Sequence, residues 1–321
     1  MNSKNKKRFL LIGCGSIGGD KSYSVDNSKT NQVTHIHAIV ECGFCCGIVD
    51  PDIERVKLIA EKWGVSENLV FKNLLAAKKT NPDIIVIATP QHTQYDILID
   101  CIKYFGIHKT YILEKPCLNS LEEFSKMQTL RIIHGLSIYI NYQRQHIKEY
   151  KKEFIDDKIG KVISAECVYT RGALRDGSHA LAFFCDLFGR PESIKTSYKS
   201  FSDWGSEDLT RNIIFTFQDD SPEVIFRAMD GRIADIFEID LIGEKGRLQY
   251  IDHGSVIRYT KHKDEMQFGT GYKSVGWKAD ELINVKLDLS HIYNDVVKGI
   301  NQPDLALYRY AWVFLKKSVQ D

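Results

Sequence analysis

The sequence predicts an α/β chain in two parts: a doubly wound parallel sheet, then an α+β part with a large open, mainly antiparallel sheet. Three observations predict this. Over about the first 140 residues, strand-like runs alternate with segments of helical spacing. The first run ends in a glycine-rich turn, Gly13-Cys14-Gly15-Ser16-Ile17-Gly18. Beyond about residue 142 longer β-type runs appear, and several alternate apolar with polar residues, as in Ile236-Phe237-Glu238-Ile239-Asp240-Leu241. That alternation suits a sheet with one covered face.

The strands of the first part are expected at 9–12, 45–49, 84–88, 110–113 and 136–140. Helical spacing marks 34–41, 51–63 and 95–104. Asn119-Ser120-Leu121-Glu122-Glu123 reads as a helix start, with Ser120 placed as the cap and Glu123 three residues on. In the second part, strands are expected at 162–169, 212–217, 223–228, 237–242, 247–251 and 256–259. Helices at 178–188 and 289–299 flank them. The change of character sets a first domain over 1–142 and a second over 143–321. No internal repeat or low-complexity stretch interrupts either.

A strand that breaks into G-x-G-x-x-G is how a Rossmann-type dinucleotide-binding domain begins. Gly13 allows the tight turn, Gly15 lets backbone approach a pyrophosphate, and Gly18 permits the next segment to pack close to the strand. Ser16 and Ile17 belong to the same turn. The second strand run ends in Asp50, placed to accept hydrogen bonds from the adenosine ribose hydroxyls. A carboxylate there repels a 2′-phosphate, and the next residue is Pro51, with no immediate arginine to hold one. NAD is therefore expected over NADP. Asp50 lies 32 positions past Gly18, where about 20 is usual. The excess is a polar loop over 19–33 beside the pyrophosphate site, either a lid or a tolerated surface insertion.

Composition excludes several classes. A net charge of +1 makes no case for nucleic acid or an anionic membrane. The basic start, 4–8, is short and runs into a strand pattern too brief for a signal-peptide core. No stretch approaches the roughly 18 apolar residues of a membrane span. The expected setting is the cytoplasm. Most of the eight cysteines lie in apolar runs, as reduced, buried thiols do. Cys42, Cys45 and Cys46 cluster, but no second Cys/His pair comes after them at zinc-finger spacing, so no metal is expected.

Three more motifs stand at informative places. Ala88-Thr89-Pro90-Gln91-His92 and Glu114-Lys115-Pro116 come after the third and fourth strands, at the edge where doubly wound sheets bind ligands. Arg171-Gly172-Ala173-Leu174-Arg175-Asp176-Gly177-Ser178-His179 leads into an apolar helix. With the glycine turn, Asp50-Pro51-Asp52, Asn141-Tyr142-Gln143-Arg144 and Gly160-Lys161-Val162, these resemble the Gfo/Idh/MocA family of oxidoreductases over nearly the whole chain.

The resemblance implies hydride exchange between a nicotinamide and a secondary alcohol of a sugar or cyclitol. It implies that Thr89, Pro90, His92, Glu114 and Lys115 border the cofactor, and that Lys115 also borders the reacting oxygen, where an ammonium stabilises a developing alkoxide. His179 resembles the family's acid/base, a role that suits imidazole near neutral pH. Relatives often carry Asp four residues before this histidine. Here that position is Arg175 and the aspartate is Asp176, which either orients His179 or caps the helix. Arg144 and Tyr169 are expected at the substrate, and Arg171 either there, gripping an anion, or solvated at the surface.

The Asn-Tyr-Gln-Arg and Gly-Ser-His forms look most like relatives from surface-polysaccharide pathways, which implies a nucleotide-linked or acidic sugar. Some relatives use NAD for redox-assisted glycoside cleavage. Another is a repressor that binds dinucleotide without catalysis, a role that needs neither Lys115 nor His179. The family also implies a homodimer or homotetramer through the second sheet.

Overall fold

The computed structural model describes residues 6–19, 33–117, 119–218, 220–263, 276–277, 280–300 and 313. Among them the chain forms two compact units. One runs to Gln143 and resumes at Asp288; the other runs from Arg144 to Leu287.

The first unit holds a six-stranded parallel sheet of β1 (Arg8–Ile12), β2 (Phe44–Val49), β3 (Val70–Phe71), β4 (Ile84–Ile87), β5 (Thr110–Leu113) and β6 (Ser137–Ile140). The order is β3-β2-β1-β4-β5-β6, which reverses between β1 and β4 as in dinucleotide-binding folds. Helices cover it: α1 (His35–Cys42), α2 (Ile53–Trp63), α3 (Leu74–Ala77), α4 (Gln91–Phe105) and α5 (Leu121–His134). Phe9, Leu10, Leu11, Ile85, Val86 and Ile87 are fully buried, as strands covered on both faces require. Ser120 does cap α5: its Oγ accepts the Glu123 N–H at 3.1 Å, and the Glu123 carboxylate accepts the Asn119 N–H at 2.7 Å. Asp52 caps α2 by accepting from Arg55 N at 3.1 Å, so that helix begins at Ile53 rather than at Pro51.

The excess spacing before Asp50 has a backbone explanation. Gly19 N donates to Gly15 O at 3.0 Å, a first helical turn. The next steps of that ladder are made by His35 N to Ile17 O at 2.9 Å and Ile36 N to Gly18 O at 3.0 Å. In an unbroken helix the donor to Ile17 O would be residue 21. His35 takes its place, fourteen positions later along the chain. Subtracting those fourteen positions puts Asp50 eighteen past Gly18, close to the usual interval. Residues 20–32 of that loop lie outside the described residues.

The second unit is built on α6 (Lys152–Ile159), β7 (Val162–Tyr169), α7 (Ser178–Phe188), β8 (Pro191–Phe201), β9 (Thr210–Phe217), β10 (Val224–Ala228), β11 (Phe237–Gly243), β12 (Gly246–Ile251), β13 (Val256–Lys263), β14 (Gly276–Trp277) and β15 (Glu281–Asn284). Its nine strands run β14-β13-β12-β11-β7-β10-β9-β8, with β15 on β13. Among the described strands of this second sheet, only β7 and β10 pair in parallel. Phe237, Ile239 and Leu241 point into the core with Phe183, Phe184 and Phe226, while Glu238 and Asp240 lie on the other face. Strand β8 escapes sequence reading because it is an edge strand rich in Ser and Lys, the composition that keeps edges from pairing.

Helix α8 (Ser290–Lys298) corrects an expectation. It does not flank the second sheet. Ile292, Tyr293 and Val296 are buried in the first unit's core with Phe9, Ile36 and Ile39. Its apolar stripe announces a core-facing helix but not which core. No helix among the described residues is long and apolar enough to cross a membrane.

Candidate active site

The glycine turn is a cradle with three different uses of glycine. Gly13 has φ +93°, and a Cβ there would lie 2.5 Å from Ala88 O. At Gly18 a Cβ would lie 2.2 Å from Gly13 O, so this glycine serves close packing. At Gly15 a Cβ would meet nothing within 4 Å. The missing side chain at Gly15 therefore serves no contact inside the protein; it leaves room beside the backbone. Gly13 and Gly15 line a cavity of about 710 Å³, together with Asp50, Thr89 and Pro90. That size suits a cofactor-scale ligand. Ser16, Ile17, Gly18, His92, Glu114 and Lys115 are not among its lining residues.

Asp50 is buried at the end of β2. Its Oδ2 accepts the Cys14 N–H at 2.8 Å and its Oδ1 the Asp52 N–H at 3.0 Å. Two backbone donors thus aim the carboxylate, and each oxygen keeps a further lone pair for ribose hydroxyls. Sequence reading missed two cations in the same wall. Arg55 and Lys72 also line the cavity, and Arg55 Nη2 pairs with Asp52 Oδ2 at 3.0 Å. No arginine stands directly after Asp50 along the chain, but one turn of α2 brings Arg55 there. The interval Asp52 to Arg55 was a readable signal; nothing in the sequence points to Lys72.

Glu114 and Lys115 stand just past β5. Glu114 is buried, and its Oε1 accepts from His35 Nε2 at 2.8 Å and from Asn141 Nδ2. Its Oε2 accepts the Lys115 N–H at 3.2 Å. Burial works to raise the Glu114 pKa; the bond and charge of His35, the Asn141 bond and the Lys115 charge outweigh it, and the carboxyl lies below its ordinary value. Lys115 itself is half-buried.

In the second unit, His179 is the second residue of α7, half-buried, with its ring edge-on to Phe237 at 6.4 Å. A wide π-type turn, Gly172–Gly177, precedes it. Asp176 lies in this turn. Gly177 stands at the cap position of α7, directly after Asp176. Its carboxylate pairs with Arg171, at 3.0 Å to Nε and 2.9 Å to Nη2. Arg171 also lies 3.2 Å from Asp235, so two carboxylates already compensate its charge. The turn is capped by Asp208, which accepts from Leu174 N at 2.8 Å and Arg175 N at 2.9 Å; sequence spacing hid that role.

Two expected substrate contacts sit deep. Tyr169 is a core residue rather than a substrate contact: it is fully buried, its hydroxyl donates to Arg211 O at 2.7 Å, and its ring packs on Phe226. Burial pushes its pKa up. Arg144 is buried too, with its guanidinium 4.3 Å from the Phe237 ring centre and Nη2 donating to His253 O at 2.7 Å.

Comparison with known proteins agrees with this architecture. Residues 7–142 match the profile of the Gfo/Idh/MocA oxidoreductase family, NAD-binding Rossmann fold. No curated protein sequence matches. An oxidoreductase from Sinorhizobium meliloti superposes with a TM-score of 0.72 at 13% identity, covering 99% of this chain and 98% of its own. An inositol dehydrogenase homolog from Azotobacter vinelandii, complexed with NADH and myo-inositol, gives 0.70 at 14% identity, with 99% and 95% covered. UDP-N-acetylglucosamine 3-dehydrogenase from Acidithiobacillus ferrooxidans gives 0.69 at 13%, with 98% and 99% covered. At such identities these structures share the fold alone.

Proposed function

We propose that the chain, whose residues 7–142 match the Gfo/Idh/MocA oxidoreductase profile, is a member of that family and an NAD-dependent dehydrogenase acting on a ring hydroxyl, or the matching ketone, of a sugar-like substrate. The observation that carries this is one cavity walled by Gly13, Gly15 and Asp50, open where Gly15 lacks a side chain. Bound NAD supplies the hydride acceptor. The Gly15 backbone admits the pyrophosphate, and the aimed Asp50 carboxylate accepts from ribose hydroxyls. Lys115 polarises the reacting oxygen, and its ammonium stabilises the alkoxide. His179 takes up the hydroxyl proton in oxidation and returns it in reduction. Arg144 and Arg171 belong to the substrate half of this reading.

A nucleotide-linked sugar is the substrate class we favour, in keeping with the motif forms Asn141-Tyr142-Gln143-Arg144 and Gly177-Ser178-His179. The setting we propose is cytoplasmic, as eight free thiols suit. We also place a dimer or tetramer contact on the outer face of the second sheet, where Ile163 is 56% exposed.

Paired titrations with NADH and NADPH, read by nicotinamide fluorescence, test the cofactor half. NADH is expected to bind more tightly, and Asp50→Ala to relax the preference, since Arg55 and Lys72 remain in the cavity wall once the Asp50 carboxylate is gone. Unchanged selectivity in Asp50→Ala sinks the role of Asp50. With a substrate found by screening nucleotide sugars, Lys115→Ala should abolish turnover and leave NADH affinity within about threefold. Near-normal turnover removes Lys115 from the mechanism.

A further inference from the structure

A buried hydrogen-bond chain ends at Glu114, beside Lys115. Tyr293 on α8 is fully buried, and its hydroxyl lies 2.8 Å from His35 Nδ1. His35, fully buried as the first residue of α1, presents Nε2 to Glu114 Oε1 at 2.8 Å. Asn141 and the Lys115 N–H complete the carboxylate's partners. An ionised carboxylate only accepts, so His35 Nε2 carries a proton towards it. His35 Nδ1 meets the Tyr293 hydroxyl, which accepts from an imidazolium and donates to a neutral ring, so the pairing keeps Nε2–H on Glu114 in either state. Three polar side chains in an apolar core are costly unless each is satisfied by the next, and here each is.

We propose that His35 and Tyr293 are positioning residues: they hold the Glu114 carboxylate ionised and so keep a counter-charge beside the Lys115 ammonium. The fourteen extra positions along the chain leave this arrangement intact, because His35 itself donates to Ile17 O. Among the described residues, the other titratable groups acting on Tyr293 are Cys42 on α1 and Cys45 on β2. Burial pushes both thiols up to about 12, so they stay neutral and leave the charge balance to Glu114, His35 and Lys115. The catalytic meaning of the proposal rests on the reading of Lys115 given above; its test needs neither cofactor nor substrate.

Competitive acetylation of the full chain across a pH series, read at Lys115 by mass spectrometry against surface lysines, reports the midpoint at which its amine deprotonates. In His35→Leu the buried Glu114 loses its donor and takes up a proton. The Lys115 midpoint should fall by about one pH unit, tenfold more unprotonated amine at a given pH. His35→Gln, which keeps an N–H donor, should restore it to within about threefold. Tyr293→Phe removes only the hydroxyl and keeps the ring stacked on Phe9 at 5.4 Å. It takes away the partner of His35 Nδ1 and should shift the midpoint by a smaller, same-signed amount.

An unchanged midpoint in folded His35→Leu overturns the proposal. So does labelling raised equally at every pH, which reports exposure alone. If His35→Leu does not fold, Tyr293→Phe decides by the same criteria. Should Lys115→Ala keep its turnover, the dehydrogenase role of Lys115 fails while the labelling result stands. Should the midpoint stay put, this proposal fails while that role stands.

Discussion

The glycine turn of the first unit and the π-type turn of the second begin alike and end differently. Each opens on a glycine at positive φ, Gly13 at +93° and Gly172 at +88°, with no room for a side chain. At Gly13 the obstacle is backbone, the Ala88 carbonyl; at Gly172 it is the Asp208 carboxylate, 2.1 Å from where a Cβ would sit. Past Gly13 the chain leaves space, at Gly15. Around Gly172 it fills space with its own ions: Arg171 on Asp176 and Asp235, and Arg175 with its guanidinium 3.5 Å from the Trp204 ring centre. The first corner is shaped to receive something; the second is shaped to hold the start of α7, and with it His179. A glycine-rich motif therefore says that backbone is crowded, and only the next residues say whether it is crowded by protein or kept clear for a ligand.

Substitutions can break this contrast, beginning with the largest effect. Gly13→Ala forces strained φ and a contact that backbone cannot relieve, and should cost about 4 kcal/mol in chemical denaturation. Gly15→Ala should leave the denaturation midpoint almost unmoved and weaken NADH binding more than tenfold, because its Cβ enters the cavity alone. Equal losses of stability at both positions would show that Gly15 is a packing glycine after all. Gly172→Ala should cost less, about 2 kcal/mol, since the Asp208 carboxylate can swing aside at the expense of its bonds to Leu174 and Arg175. Denaturation would contradict that ordering if Gly172→Ala proved the worse variant. Trp204→Ala should cost least, about 0.5–1 kcal/mol, because Trp204 is half exposed and the cation–π contact is correspondingly weak. A much larger loss would mean that the ion cluster depends on that ring.

Much of the fold was legible for one reason: local physics sets it. An apolar run ending in Gly13-Cys14-Gly15 has few alternatives to strand and turn, and Ser120 with Glu123 signs a helix start within five residues. Those signals depend on neighbours along the chain. The cradle residues Gly13, Gly15 and Asp50 were readable on the same terms, because each acts through its own backbone or its place at a strand end. Tyr169 was misjudged as a substrate contact for the opposite reason. Alternation puts it on one face of β7, but only the packing of Phe226 and the Arg211 backbone makes that face the core.

Local sequence suffices for a dinucleotide-binding first unit, its glycine turn and acidic strand end, and the family profile that residues 7–142 match. Three-dimensional packing was needed to show that α8 joins the first unit, that Asp208 caps the turn before His179, and that Arg55 and Lys72 share a wall with Asp50. It also brought Tyr293 to His35 across 258 positions, and His35 to Glu114 across 79. Such pairings cost chain entropy that only a completed core repays, so no local pattern encodes them.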